Sequence, residues 1–286
     1  MKILVTGAEG MLGRAMLARF GRGHMVEGVD LDQGDLGDAV VCRTLLEDAR
    51  PGWVVNCAAW TAVDAAEEKR DEAMTANAVI PGNLVAACDA IGCGLTHIST
   101  DYVFDGKGAG FAEDSPRAPL SHYGRTKAVG EEAVEAMAGP WQIVRTSWLF
   151  GDGPVNFVKT IVRLLEQRPS LKVVDDQTGC PTYTEDLAAV VEFLVTSGSR
   201  GIFHATNAGS CTWYEFARAI AEGLGRDPRL ISPCPSSEYP TAAVRPACSV
   251  LLSRQLEEAG CPPRPSWQDA LARYLTLLAS GRARFP

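Results

Sequence analysis

The chain has 286 residues, 46% of them hydrophobic and 22% charged, enough to bury a large core and to exclude disorder over most of its length. A formal net charge of -8, with lysines and arginines scattered apart from a short Arg282-Ala283-Arg284 tail, argues against nucleic acid or an anionic membrane surface as partner. No apolar stretch approaches a membrane span, and residues 1–6 are too short and too soon interrupted by glycine for a signal peptide, so a cytoplasmic location is expected.

Met1-Lys2-Ile3-Leu4-Val5 is the kind of apolar run that makes a buried parallel strand, and it leads through Gly7, Gly10 and Gly13 into an Ala/Leu/Arg-rich helical stretch. In such a unit Gly7 permits the tight turn, Gly10 lets the backbone approach a pyrophosphate, and Gly13 lets the helix pack close on the sheet. A second apolar run, 25–29, ends in Asp30, where a carboxylate is expected to bond an adenosine ribose; the competing reading is an aspartate that opens a loop. Asp30 favours NAD or dual use, because its charge repels a 2′-phosphate. Asp35 and Leu36 fit the edge of an adenine pocket, with a similar competing reading.

Further strands are expected near 53–57, 95–99, 141–146, 171–174 and 202–205, alternating with helices near 11–20, 38–49, 71–91, 122–137, 155–167, 184–197 and 212–224. This alternation predicts an α/β fold of Rossmann type, a doubly wound parallel sheet with a smaller C-terminal part. Residues 1–150 are expected to bind NAD(P), receiving elements from about 175–205, and 151–286 to form an interleaved substrate part. Ligands in such sheets sit beyond the carboxyl ends of the strands, where Gly7, Asp30, Ala58, Ala59 and Thr100 fall. The segment 228–248, rich in Pro, Ser and Ala, reads as irregular chain that covers a substrate.

Tyr123 and Lys127 stand four residues apart in a helical stretch, so a phenol and an ammonium share one face. A free phenol titrates near pH 10 and is a sluggish acid; a neighbouring cation would lower its pKa, and the Thr100 hydroxyl would polarise a carbonyl. With the glycine turn upstream, these residues point to hydride transfer with a nicotinamide cofactor, NADPH or NADH. Nine cysteines and four histidines show no zinc or disulfide spacing and read as small core residues and isolated rings.

Several ordered motifs carry a resemblance across about residues 1–185: Cys57-Ala58-Ala59-Trp60-Thr61-Ala62-Val63-Asp64-Ala65-Ala66-Glu67, Ser99-Thr100-Asp101-Tyr102-Val103-Phe104-Asp105-Gly106, Arg145-Thr146-Ser147-Trp148-Leu149-Phe150-Gly151 and Asp176-Gln177-Thr178-Gly179-Cys180-Pro181-Thr182. The chain resembles the extended short-chain dehydrogenase/reductases, and among them the dTDP-4-dehydrorhamnose reductases; Arg245-Pro246 continues the match more weakly. The resemblance implies Tyr123 as proton donor, Lys127 on the nicotinamide ribose, and Thr100 on the C4 carbonyl. Thr100, Asp101 and Trp148 would contact the sugar nucleotide. Gly10, Met11, Leu12, Asp30, Asp35, Leu36, Ala59, Trp60 and Thr61 would line the dinucleotide. For Trp148 a core aromatic, and for Asp101 a structural hydrogen bond, stay open on sequence alone.

Some members of that family dimerise around magnesium held by acidic side chains at three places. Here Ala15 stands at the first, Glu185 at the second and Gln268-Asp269 near the third, so no metal and a monomer or weak homodimer are expected. The implied reaction is reduction of dTDP-4-dehydro-L-rhamnose to dTDP-L-rhamnose. Another nucleotide-sugar reductase or epimerase of the same fold is a nearby alternative, and a non-catalytic NAD(P)-binding regulatory subunit a more distant one.

Overall fold

The structure, a computed structural model, describes residues 1–153 and 155–280; the Arg282-Ala283-Arg284 tail lies outside the described residues. The apolar runs of the first half become strands β1 (Lys2–Thr6), β2 (Met25–Val29), β3 (Trp53–Asn56), β4 (Gly94–Thr100) and β5 (Trp141–Thr146). Between them lie helices α1 (Met11–Phe20), α2 (Ala39–Ala49), α3 (Arg70–Met74), α4 (Ile80–Ile91) and α5 (His122–Glu135). There follow β6 (Leu149–Phe150), α6 (Phe157–Gln167), β7 (Leu171–Val174), β8 (Thr178–Gly179), β9 (Thr182–Tyr183), α7 (Thr184–Ser197) and β10 (Gly201–His204). The described chain ends through β11 (Cys211–Thr212), α8 (Trp213–Gly223), β12 (Ile231–Cys234), α9 (Arg254–Glu258) and α10 (Trp267–Ala279).

Six strands form one parallel sheet in the order β10-β5-β4-β3-β1-β2. Every residue of β3 and β4 is buried, the signature of strands covered on both faces. On one face Leu12, Met16 and Phe20 of α1 pack with Leu187, Val191 and Leu194 of α7 against Ile3, Val5 and Val144. On the other, Leu46, Leu84 and Val134 from α2, α4 and α5 cover Leu4, Val54 and Leu95. Chain direction across the sheet switches at β1, which has β2 on one side and β3 on the other, so a crevice opens beyond the carboxyl ends of these strands.

A second apolar core gathers Phe150, Ile161, Phe216, Ile220, Trp267 and Tyr274 from α6, α8, α10 and their neighbours. Here the expected elements need correction. Leu171–Val174 does not join the main sheet; it pairs in parallel with β12, which lies inside the segment read as irregular. Ile231-Ser-Pro-Cys234 is too short and proline-interrupted to show strand periodicity, and it is held by pairing with β7 and by burial of Ile231 in this core. Neither α9 nor α10 was expected, although Ser266 caps α10 by accepting from the Asp269 N–H at 3.2 Å. The helix expected at 71–91 is interrupted by a π-turn, Thr75–Val79, that turns Asn77 inward.

Polar bonds fix α5 to the sheet. Glu131, wholly buried, accepts from Arg145 of β5 at 2.9 and 2.7 Å, from Ser99 of β4 at 2.5 Å and from Arg117 at 2.6 Å. Burial opposes its charge, but Arg145, Ser99 and Arg117 outweigh that and hold the carboxyl below the usual range. Replacing Glu131 by Gln should strand the buried Arg145 cation and lower unfolding free energy by about 3–5 kcal/mol. Glu135→Gln, at the exposed end of the same network, should cost under about 1 kcal/mol; urea denaturation of both variants checks the contrast.

Candidate active site

The glycine turn is shaped by close contact. Gly7 has φ +63°, and a Cβ there would stand 2.6 Å from the Ala58 nitrogen, so both conformation and space demand glycine. A Cβ on Gly13 would meet the Gly7 carbonyl oxygen at 2.1 Å, which is how closely α1 packs on the turn. Gly10 caps α1 with no side-chain bond, leaving the first-turn N–H groups without intrahelical partners. Met11 is half-buried, touched by Gly153 and by Asn156, and Leu12 points into the core.

Asp30 ends the strand beside this turn, and its Oδ2 accepts from the Glu9 N–H at 2.9 Å. Asp35 is exposed and bonds only the Gly37 N–H among its side-chain partners, whereas Leu36 is buried and its carbonyl accepts from Asn83. Ala58 and Ala59 follow β3 as half-buried residues, then Trp60 and an exposed Thr61. Asn77 clamps Trp60 from both sides, accepting from its N–H at 2.9 Å and donating to its carbonyl at 3.1 Å; it also donates to Thr126 Oγ1 on α5 at 3.0 Å. A Cβ on Gly130 would meet the Asn77 carbonyl oxygen at 2.1 Å, so the π-turn and α5 are in direct contact.

Thr100, at the end of β4, donates to Asp101 Oδ1 at 2.9 Å and stands beside the Tyr123 phenol, whose pKa it lowers. Tyr123 and Tyr102 pack edge to face with centroids 5.6 Å apart. Burial pushes the Tyr123 phenol up to about 12; the Thr100 hydroxyl opposes the rise and Asp101 adds to it. The sequence expectation that Lys127 would lower this phenol is therefore not met, because burial dominates; Lys127 Nζ itself donates to the Ile98 carbonyl at 2.6 Å. Burial lowers Lys127 itself to about 8, against the opposing charges of Glu131 and Cys57. A phenol that stays protonated is suited to delivering a proton to an alkoxide, a stronger base than its own phenolate.

Asp101 is 2% exposed, and burial raises its carboxyl to about 6, partly offset by Ser249 and Thr100. No group completes a hydrogen bond to its Oδ2 among the described residues, so a buried acceptor beside Thr100 stands unpaired. Trp148 adopts φ +48°, unusual for a bulky side chain, and its ring lies between two neighbours. One is Trp213, stacked at 3.4 Å between centroids; the other is the Gly179 backbone, where a Cβ would fall 2.4 Å from the ring. Trp213 carried no sequence signal, since its partner lies 65 positions away. The 240s strap reaches the same region: Arg245 forms a bidentate pair with Asp64 at 3.1 and 2.7 Å, tying the segment after β12 to the loop after β3.

No three His, Cys, Asp or Glu side chains converge in a metal-binding arrangement among the described residues. Near the C-terminal helix, Asp186 and Asp269 both pair with Arg273. All nine cysteines are free thiols. No helix is long and apolar enough to cross a membrane among the described residues.

A glycine cradle at a helix N-terminus, an acidic residue ending the second strand, and a Thr/Tyr/Lys cluster at the end of the fourth define a short-chain oxidoreductase of Rossmann architecture. The model of the family described as RmlD substrate binding domain matches residues 1–280, and the chain belongs to that family. It is 42% identical over 300 residues to a dTDP-4-dehydrorhamnose reductase of Streptomyces griseus, covering 99% of this chain and 95% of that protein. It is 41% identical over 278 residues to a dTDP-4-keto-6-deoxy-D-glucose reductase of Streptomyces niveus, covering 96% of each. A crystal structure of a Bacillus anthracis dTDP-4-dehydrorhamnose reductase in complex with NADP superposes with TM-score 0.93 at 35% identity, over 96% of this chain and 98% of that one.

The raised carboxyl of Asp101 has a stability consequence. Its folded pKa, about 6, lies above the ordinary 3.8, so the folded state holds the extra proton between those values and stability falls as pH rises through that window. The penalty is complete above pH 6, on the order of 2–3 kcal/mol. Asp101→Asn should therefore raise the denaturation midpoint at pH 7.5, leave it nearly unchanged at pH 3.5, and weaken substrate binding; thermal melts at both pH values, with a substrate KM, check this.

Proposed function

We propose that this chain reduces the 4-keto group of dTDP-4-dehydro-L-rhamnose to dTDP-L-rhamnose, the last step of dTDP-L-rhamnose synthesis, with NADH or NADPH. The observation that carries the reading is the buried contact of Thr100 with Tyr123 and Asp101, one helical turn from Lys127. The residues present fit a dinucleotide: Gly7 and Gly13 leave no room for a Cβ, the first-turn N–H groups of α1 suit a pyrophosphate, and Asp30 suits a ribose hydroxyl. When bound, a reduced nicotinamide supplies the hydride. The hydroxyls of Thr100 and Tyr123 hold the carbonyl oxygen, Tyr123 Oη gives its proton to the forming alkoxide, and Lys127 would sit on the nicotinamide ribose. Asp101 Oδ2 accepts from a sugar hydroxyl, and the Trp148–Trp213 stack forms an apolar wall for the sugar or base. Ala58, Ala59, Trp60 and Thr61 line the dinucleotide, held by the Asn77 clamp, with Met11, Leu12, Asp35 and Leu36 at its edges.

Residues 1–150, with α7 and β10, form the dinucleotide-binding part on this reading, and the second core forms the nucleotide-sugar part. Ala15 at the first of the three acidic positions and the Arg273 pair with Asp269 near the third, which leave Glu185 alone at the second, favour a magnesium-independent enzyme, a monomer or weak homodimer. The similarity to the Streptomyces niveus protein favours one second reading, in which the substrate is dTDP-4-keto-6-deoxy-D-glucose.

Nicotinamide fluorescence decay with either sugar nucleotide, in the presence of chelator, separates these readings. Rapid decay is expected with dTDP-4-dehydro-L-rhamnose; decay with the D-glucose compound alone moves the assignment to it, and binding without oxidation of either cofactor would favour a regulatory subunit. Tyr123→Phe should lower kcat by at least about a hundredfold while cofactor binding is preserved. On this reading the Asp30 carboxylate meets the adenosine ribose and repels a 2′-phosphate, so kcat/KM should favour NADH by about tenfold, and Asp30→Ala should narrow that ratio.

A further inference from the structure

Lys127 Nζ has a second polar neighbour with no part in the reaction above: Nε2 of His97 on β4, 3.3 Å away. His97 is wholly buried, and its ring is fixed from the other side by Asn56. Asn56 Oδ1 accepts from the Ala58 N–H at 3.1 Å and from the Thr6 hydroxyl at 2.6 Å. A backbone N–H can only donate, so that end of the amide is its oxygen, and Nδ2 donates to His97 Nδ1 at 2.9 Å. A neutral imidazole that accepts at Nδ1 carries its proton on Nε2. That N–H points at an amine which itself donates to the Ile98 carbonyl. Two donors would then oppose each other, unless the amine offers its lone pair.

We propose that His97, locked by Asn56 in the Nε2–H tautomer, is a positioning residue that turns a donor towards Lys127 Nζ and so shifts its balance from the ammonium towards the neutral amine. The assignment rests on the reductase reading for its use, but its geometry is independent of the substrate. The titratable groups that bear on Nζ are few: His97 from β4, Cys57 from the segment after β3, and Glu131 from α5 itself, where Tyr123 stands one turn before Lys127. Glu131 is committed to Arg145 and Arg117, and the π-turn brings only the uncharged Asn77. Burial first, and Lys127 second, keep His97 well below its ordinary pKa, so the ring stays neutral. Lys127, lowered to about 8, then gains and loses a proton near neutral pH. In each turnover Tyr123 Oη loses its proton to the alkoxide, the Lys127 ammonium returns a proton to the phenolate and becomes the neutral amine, and that amine takes up a proton from water to restore the ammonium.

Two measurements test this. The first is nitrogen-15 NMR of histidine-labelled full chain between pH 6 and 9, with His97→Phe identifying the signal. A protonated Nε2 and bare Nδ1 across the range are expected; a protonated Nδ1 or an imidazolium overturns the assignment. The second uses Asn56→Asp, which keeps an oxygen towards Ala58 and Thr6 and turns a second oxygen to His97, forcing the proton onto Nδ1. Nε2 then accepts from an ammonium, and the basic limb of the kcat profile should rise by about one pH unit, a tenfold change in proton affinity. In a His97→Phe background the same substitution should move the limb by less than half as much. An equal shift in both backgrounds would trace the effect to the new carboxylate's charge and sink the tautomer. Absent turnover with an Nε2–H signal present would discard the substrate assignment and leave this one standing.

Discussion

The carboxylate of Glu131 accepts from β4, β5 and the loop before α5 at once, and every position in the reacting cluster depends on that anchor. Tyr123 and Lys127 lie on the same helix about two turns and one turn before it, while Thr100 and His97 lie on the strand that Ser99 ties to it. Arg145 spreads the anchor further, donating to the Glu113 carbonyl and sitting 5.1 Å above the Phe104 ring. Buried ion pairs add little net stability relative to apolar packing, but a pair with its partners complete admits only one arrangement of the elements it joins. Helix α5 is therefore fixed in register as well as in place.

Against that rigid frame the reacting groups are held in unfavourable conditions. Tyr123, Lys127, Asp101 and His97 are all buried, and for each of them desolvation is the largest cause of the shift in pKa. Burial keeps the two acids, Tyr123 and Asp101, protonated to higher pH and moves the amine towards neutrality. The orphaned Asp101 Oδ2, like the left-handed backbone of Trp148, is a local cost carried by the surrounding structure. Such costs belong where a ligand later completes the bonding, and the apolar cores on both faces of the sheet and in the C-terminal part supply the stability that tolerates them.

The C-terminal part reaches the crevice through few contacts. Arg245 and Asp64 tie the strap after β12 to the loop after β3, and Trp213 meets Trp148 across the site. Met11 in the glycine turn touches Gly153 and Asn156, so the dinucleotide cradle and the segment leading into α6 also share an edge. The two cores thus meet along the crevice beyond the carboxyl ends of the strands.

The alternating apolar runs and the glycine spacing determined the parallel sheet, because a buried strand and a tight turn are local demands that the local sequence must meet. The four-residue spacing of Tyr123 and Lys127 followed equally from helix geometry. What the sequence did not determine were features whose cause lies far along the chain. Strand β12 depends on its pairing with β7 and on burial in the second core, the upward shift of Tyr123 reflects burial by surrounding elements, and the tautomer of His97 is set by Asn56, 41 positions away. Asn56 and His97 did leave a trace, as polar residues inside apolar strands, but which atoms they would face was decided by the register of β3 against β4, a long-range pairing that no local pattern encodes.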